Sequence, residues 1–269
     1  MTALAKNLGH TAEYKGDHKQ TYHRQRGDLP MLTRLFGRPP AAARLALRPG
    51  SVPDLASLLA GIDPYRPVFE APESTGHRLI AHWPVAGDLV QTEPKGFLRP
   101  ADALTLYDIA LHTAGNVLEV GSAWGLSATI LCRAVKARGH GKVVSIEIDP
   151  EFQRLTGAAL RRLSLHRWHE MRGGDGTSLL RQAAARGERF SAIYIDHDHG
   201  PEASRQACAL LPDLLAPRGF MLFHDFNDPL NETGEYGVYE AVCGMLRDRP
   251  ELALYGTPGC CALVGWREM

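Results

Sequence analysis

From Leu98 onward, short apolar runs of strand length alternate with longer stretches whose apolar positions recur at helical spacing. The pattern predicts helices over 101–113, 126–138, 150–163, 177–186, 201–215 and 236–247, and strands over 116–120, 142–146, 168–172, 190–195 and 220–224. Strands that alternate with helices in this way form a parallel sheet covered on both faces. Two further apolar runs, 252–255 and 261–266, lie too close together for a crossover helix and are expected to pair as an antiparallel hairpin. The expected fold class is α/β: a doubly wound, mostly parallel seven-stranded sheet with an antiparallel C-terminal hairpin and an N-terminal extension.

The stretch before Leu98 lacks this rhythm. Residues 1–50 mix His, Arg, Lys and Pro, with apolar groups only around 32–36 and 41–47, and read as an arm or a few loose helices. Residues 51–60 read as a short capped helix with an early proline, and a connection with Pro64, Pro67, Pro72, Pro84 and Pro94 follows. The chain therefore divides into an extension over 1–95, expected to act as a lid or interaction region, and a ligand-binding domain over 96–269.

Composition narrows the class of partner. The 269 residues are 44% hydrophobic, enough for a sizeable core, and 30 basic residues balance 30 acidic ones. No net field favours nucleic acid or an anionic membrane, so a small molecule is the expected partner. The polar residues 1–30 do not form a signal peptide, and no later run is apolar and long enough to span a bilayer, so a cytoplasmic location is expected. Five cysteines, Cys132, Cys208, Cys243, Cys260 and Cys261, show no C-x-x-C spacing. That argues against a disulfide framework and a structural zinc site, and for reduced, mostly buried thiols.

Open parallel sheets bind ligands beyond the carboxyl ends of their strands, so the residues that end strands are the informative ones. The first strand of the sheet runs into Glu119-Val-Gly-Ser-Ala-Trp-Gly125. Its glycines permit a tight turn, and the helix that follows offers free N–H groups to an anion such as an amino-acid carboxylate. A dinucleotide-binding G-x-G-x-x-G would need glycine where the chain has Ala123. A plain strand-to-helix turn is the other reading of the loop. The second strand ends in Ser145-Ile-Glu-Ile-Asp-Pro150, which places Glu147 beside the loop, where a carboxylate can accept from both hydroxyls of a ribose. Either acid also suits the cap of the next helix; Glu147 is assigned to the ribose and Asp149 to the cap. In Gly173-Gly-Asp-Gly-Thr177, Asp175 suits an adenine edge or a helix cap.

These motifs resemble the class I S-adenosylmethionine-dependent methyltransferases, and among them the small-molecule O-methyltransferases of the catechol and natural-product type, over roughly residues 96–269. The resemblance implies a Rossmann-like methyltransferase fold with S-adenosylmethionine as cofactor. The methionine part falls on Gly121, Ser122 and Gly125, the ribose on Glu147, and adenine beside Asp175 and Gly176. Glu119 and Asp196 complete the implied cofactor set.

The fourth and fifth strands end in Ile195-Asp-His-Asp-His-Gly200 and Phe223-His-Asp-Phe-Asn-Asp228, next to one another at the centre of the sheet. Converging acids are costly to bury without compensation, which a divalent cation supplies. Asp196 and Asp225 are the candidate ligands, with Asn227 or a water completing a shell suited to magnesium. Catechol-type relatives bind their metal through acids at these two positions, often followed by Asn, where this chain has Phe226 and reaches Asn only at Asn227. The nearby His197, His199 and His224 would instead suit manganese, iron or zinc, and a metal-free network of acids and histidines is the alternative. His199 stands where catechol-type relatives carry the base that deprotonates the acceptor; capping the helix from Pro201 is its other reading. His224 is expected on the opposite face from Asp225. Trp124, Phe226, Tyr236 and Tyr239 are candidates for an aromatic wall or for packing.

The expected function is metal-assisted O-methylation of a small hydroxylated acceptor of natural-product, catechol or sugar type, with a homo-oligomer possible through the extension. The alternatives are an NAD-type oxidoreductase on a similar sheet and a non-catalytic S-adenosylmethionine-binding protein.

Overall fold

The computed structural model describes residues 44–70 and 74–267, so most of the expected N-terminal arm lies outside the described residues. Arg44–Leu45 (β1) pairs antiparallel with Phe69–Glu70 (β2), and between them runs the helix Leu55–Leu59 (α1), whose cap Asp54 accepts from the Ser57 N–H at 2.9 Å. Thr75–Ala81 (α2) begins at the cap Ser74, and Val85–Ala86 (β3) pairs with Leu89–Val90 (β4). The proline-rich connection thus carries regular structure that its composition hides. Val68, Phe69, Ile80 and Val90 are buried in the same core as the helices that follow.

The chain continues through α3 (Pro100–His112), β5 (Val117–Val120), α4 (Leu126–Arg138), β6 (Val143–Glu147), α5 (Pro150–Arg162), β7 (His169–Gly173) and α6 (Gly176–Ala185). Next come β8 (Phe190–Ile195), α7 (Pro201–Leu210), β9 (Leu215–Phe223), α8 (Leu230–Thr233), α9 (Val238–Asp248), β10 (Leu252–Gly256) and β11 (Ala262–Trp266). Seven strands form one sheet in the order β10-β11-β9-β8-β5-β6-β7. β5 to β9 are mutually parallel, and β11 inserts antiparallel between β9 and β10. β5 and β8 are buried along their whole length, as central strands covered on both faces must be. One face packs on α3 and α4, the other on α6, α7 and α9.

Two expected boundaries move. The helix expected over 201–215 stops at Leu210, because Pro212 lacks the N–H that an α-helix needs, and a 3-10 turn over Leu211–Leu214 follows. β9 accordingly begins at Leu215 rather than at 220; Leu215 pairs with Phe190, and the register shifts before Phe220 meets Ala192. The segment between the strand expected over 220–224 and the helix expected over 236–247 contains α8.

Arg138, at the end of α4, ties that helix to the end of α3 and to the segment leading into β5. Its guanidinium donates to the carbonyls of Ala110 (2.9 Å), Thr113 and Gly115 (2.5 Å). Burial lowers its pKa to about 10, which leaves it charged at neutral pH.

Candidate active site

The order of the strands reverses at β5, with β6 on one side and β8 on the other, and the crevice of a doubly wound sheet opens beyond the carboxyl ends at such a point. The glycine loop occupies that position. Gly121 has φ +89°, and a Cβ there would lie 1.8 Å from the Asp196 carbonyl oxygen. Gly125 has φ +93°, and a Cβ would come within 3.0 Å of Thr156. The loop is held from β6: Glu147 Oε2 accepts from the N–H groups of Ser122 (3.0 Å) and Ala123 (3.0 Å), and Oε1 from the Asp149 N–H (3.0 Å). From α5, the Thr156 hydroxyl donates to the Ala123 carbonyl at 3.0 Å.

Asp149 caps α5 through the Glu151 N–H at 2.7 Å, and Asp175 caps α6 through the Ser178 N–H at 2.8 Å. Gly176, at the start of α6, leaves room for Val120 and His197, which a Cβ would approach to 3.2 and 3.7 Å. Glu119 is fully buried within β5. Its Oε2 accepts from the Ser145 hydroxyl, which lies 2.8 Å from His169 Nε2. Burial raises the Glu119 pKa to about 7 and lowers that of His169 to about 4.

Beyond β8 and β9, four donors converge. His199 Nε2 lies 3.3 Å from both Asp196 Oδ1 and Asp225 Oδ2; His224 Nδ1 lies 3.3 Å from Asp196 Oδ1 and 3.2 Å from Asp225 Oδ1. His224 therefore shares the site, contrary to the expectation of an opposite face. The alternation of β9 ends at Phe223, and Asp225 takes φ +54°, so the two neighbours turn to the same side. The His199 imidazole does not cap α7. It stacks on Tyr236 with ring centroids 4.7 Å apart, while its carbonyl accepts from the Gly237 N–H at 2.8 Å. The Asn227 side-chain amide donates to the Gly259 carbonyl at 3.0 Å.

Electrostatically the cluster is tightly coupled. Burial disfavours ionised Asp196, but the His224 and His199 imidazoles outweigh it and hold the carboxyl far below its usual range. Burial also opposes protonation of His224 and His199, and the facing carboxylates overcome this to raise both. None of the four contacts has hydrogen-bond alignment: His199 Nε2 and both ring nitrogens of His224 are buried with no hydrogen-bond partner among the described residues. The spacing suits an ion. Metal bonds of about 2.0–2.1 Å to nitrogen and oxygen at tetrahedral angles set donor atoms about 3.3 Å apart.

The structure adds Tyr194, which the sequence reading passed over, and gives Tyr236, an aromatic candidate, a definite place. The Tyr194 hydroxyl donates to Asp196 Oδ2 at 3.0 Å, a position two residues earlier on the same face of β8, and Tyr236 covers His199. The four candidate aromatics form no common wall: Phe226 is buried against Tyr239 (5.2 Å), and Trp124 lies between Phe97 (5.6 Å) and Phe152 (5.5 Å).

Residues 118–226 match the model of a family described as a methyltransferase domain. In fold the chain is similar to the O-methyltransferase from Bacillus cereus in complex with SAH, at 16% identity and TM-score 0.53, covering 74% of this chain and 93% of that one. It is also similar to the O-methyltransferase TomG from Streptomyces achromogenes, involved in tomaymycin synthesis and in complex with SAM (19% identity, TM-score 0.53, 74% and 92% covered). Cofactor-bound Rv0187 from MTB is a third likeness (20% identity, TM-score 0.51, 82% and 92% covered). No curated protein matches the chain. The fold is thus the Rossmann-like fold of these methyltransferases, and the chain resembles the class I O-methyltransferases.

Proposed function

We propose that the chain is an S-adenosylmethionine-dependent methyltransferase that methylates a hydroxyl of a small acceptor with the help of a divalent cation. The observation that carries this reading is the shared edge: Gly121 of the cofactor loop packs against the backbone of Asp196, whose side chain belongs to the four-donor cluster. S-adenosylmethionine supplies an electrophilic methyl group on a sulfonium. Gly121, Ser122 and Gly125 border the space for its amino-acid end, while their N–H groups donate to Ile146, Glu147 and Ser122 and keep the loop open. Glu147 holds the loop in shape and presents its carboxylate to the ribose, and Asp175 with Gly176 borders the adenine.

Asp196, His199, His224 and Asp225 would hold the cation, while the Asn227 amide is engaged by the Gly259 carbonyl. Two imidazoles in the donor set move the preference from magnesium toward manganese, iron or zinc. A cation here favours the ionised form of an acceptor hydroxyl near neutral pH. His199, equidistant from both acids, then serves as a donor to the ion rather than as a free base. Tyr236 and Tyr194 fix the orientation of His199 and Asp196, so that acceptor and methyl group are held in line.

The test incubates the purified protein with labelled S-adenosylmethionine and a panel of hydroxylated acceptors, before and after chelation. Methyl transfer that falls on the order of 100-fold with the chelator and returns with added cation is expected. Full activity after complete metal removal removes the cation from the proposal, and no binding of S-adenosylmethionine or its demethylated product removes the methyltransferase.

A further inference from the structure

Behind the four-donor cluster lies a second group of ligating side chains, which the proposed reaction does not use. Asp102, in the first turn of α3, is fully buried, and the turn between β10 and β11 brings Cys260 and Cys261 to it, exposed by only 2% and 1%. The Cys260 thiol lies 3.4 Å from Asp102 Oδ2, and the Cys261 thiol 3.4 Å from Asp102 Oδ1. The backbone shapes this approach. The Cys260 N–H donates to Asp102 Oδ1 at 2.9 Å, the Arg99 N–H donates to Oδ2 at 2.7 Å, and Gly259 adopts φ +58°, where a Cβ would strike Asp102 Oδ1 at 2.0 Å.

The neighbouring His224 belongs to the four-donor cluster and not to this group. The His224 side chain is 6% exposed; its Nδ1 is turned to Asp196 and Asp225, while its Nε2 is buried without an aligned hydrogen-bond partner among the described residues. One carboxylate and two thiols are donor types that zinc takes. Zinc bonds of about 2.3 Å to sulfur and about 2.0 Å to oxygen at a tetrahedral angle set those atoms about 3.5 Å apart, close to the separations seen here.

We propose that Asp102, Cys260 and Cys261 form a second site for a soft divalent cation of the zinc type. Binding displaces the two thiol protons to solvent and leaves both sulfurs as thiolates, so the ion neutralises three buried anionic donors. It joins α3 to the β10–β11 turn. The absence of C-x-x-C spacing does not argue against such a site, because its third ligand comes from 158 residues earlier in the chain.

The test uses the full chain, stripped of metal under reducing conditions and titrated with cobalt(II), which gives an intense charge-transfer absorption only when bound by thiolate. The wild-type protein is expected to develop this band. The Cys260→Ser/Cys261→Ser variant should lose it together with one equivalent of bound cobalt, and Asp196→Asn/Asp225→Asn should keep it. No band in the wild type, or an unchanged band in the double-serine variant, overturns the proposal. Should the serine variant fail to fold, a thiol-specific mercurial added to zinc-loaded wild type decides: release of zinc supports the site, and retention of all zinc overturns it. The Asp196→Asn/Asp225→Asn arm reads the cation of the proposed reaction separately, so failure of either site is visible without the other.

Discussion

Gly121 shows how one missing methyl group shapes the site. A Cβ there meets the Asp196 carbonyl at 1.8 Å, in a left-handed conformation, whereas Gly139, with φ +84° at the end of α4, has nothing within 4 Å of its Cβ. Gly139→Ala should therefore cost only backbone strain, about 1 kcal/mol, and leave cofactor binding intact. Gly121→Ala should displace both the loop and Asp196. Calorimetric titration with the demethylated cofactor is expected to show at least a tenfold loss of affinity for Gly121→Ala and none for Gly139→Ala; equal behaviour of the two variants would refute the packing argument. Glu119 offers a second test at this scale. Its folded pKa, about 7, lies above that of an unfolded chain, so its contribution to stability is present at pH 4 and is lost as pH rises to about 7. Glu119→Gln removes that loss. Urea unfolding should show the variant gaining on wild type by on the order of 2–3 kcal/mol between pH 4.5 and pH 8. A pH-independent difference would mean that Glu119 ionises normally. His169, lowered to about 4, contributes in the opposite sense below about pH 6.5, which is why the comparison must be between variant and wild type rather than along one curve.

Elements report a different kind of information. α4 was legible to its last residue, because Gly125 and Gly139 bracket an unbroken helical stretch. What Arg138 does at its end was not legible, since its three acceptor carbonyls come from the end of α3 and the segment leading into β5. Arg138→Met strips three carbonyls of a charged donor, and equilibrium unfolding should register a loss of roughly 2–5 kcal/mol, partly restored by Arg138→Lys. A loss below about 1 kcal/mol would show that water replaces the guanidinium. The same contrast holds around the site. Asp196 and Asp225 were visible because a residue that ends a parallel strand faces the ligand edge. His224 was misplaced because strand alternation was carried one residue past the end of β9, where the positive φ of Asp225 breaks it. The early end of α7 was written in Pro212, but the apolar run through Leu214 and Leu215 masked it, since helical and strand-like burial look alike over so short a stretch.

At the scale of the molecule, the sheet order was legible as a class and the site only as a set of strand ends. Convergence across long sequence separation was not: Asp102 meets Cys260 and Cys261 only because β11 inserts between β9 and β10 and brings the turn back over α3. This architecture also makes two ligand responses separable. The segments proposed for the cofactor, around 121–125, 147–149 and 175–177, end β5, β6 and β7, whereas those proposed for the cation, around 196–199 and 224–225, end β8 and β9. A ligand that binds only the folded state slows local opening of the backbone it touches and stabilises the whole by mass action. Hydrogen exchange with saturating demethylated cofactor should therefore slow at the first set of segments, and exchange with divalent cation alone at the second. The backbone of Asp196, which Gly121 contacts directly, should respond to both. Cation protection confined to 121–125 and 147–149, with 196–199 and 224–225 unchanged, would place the ion away from the four-donor cluster. The contact between the glycine loop and Asp196 would then join no cation to the proposed cofactor, and the proposed reaction would lose its second half.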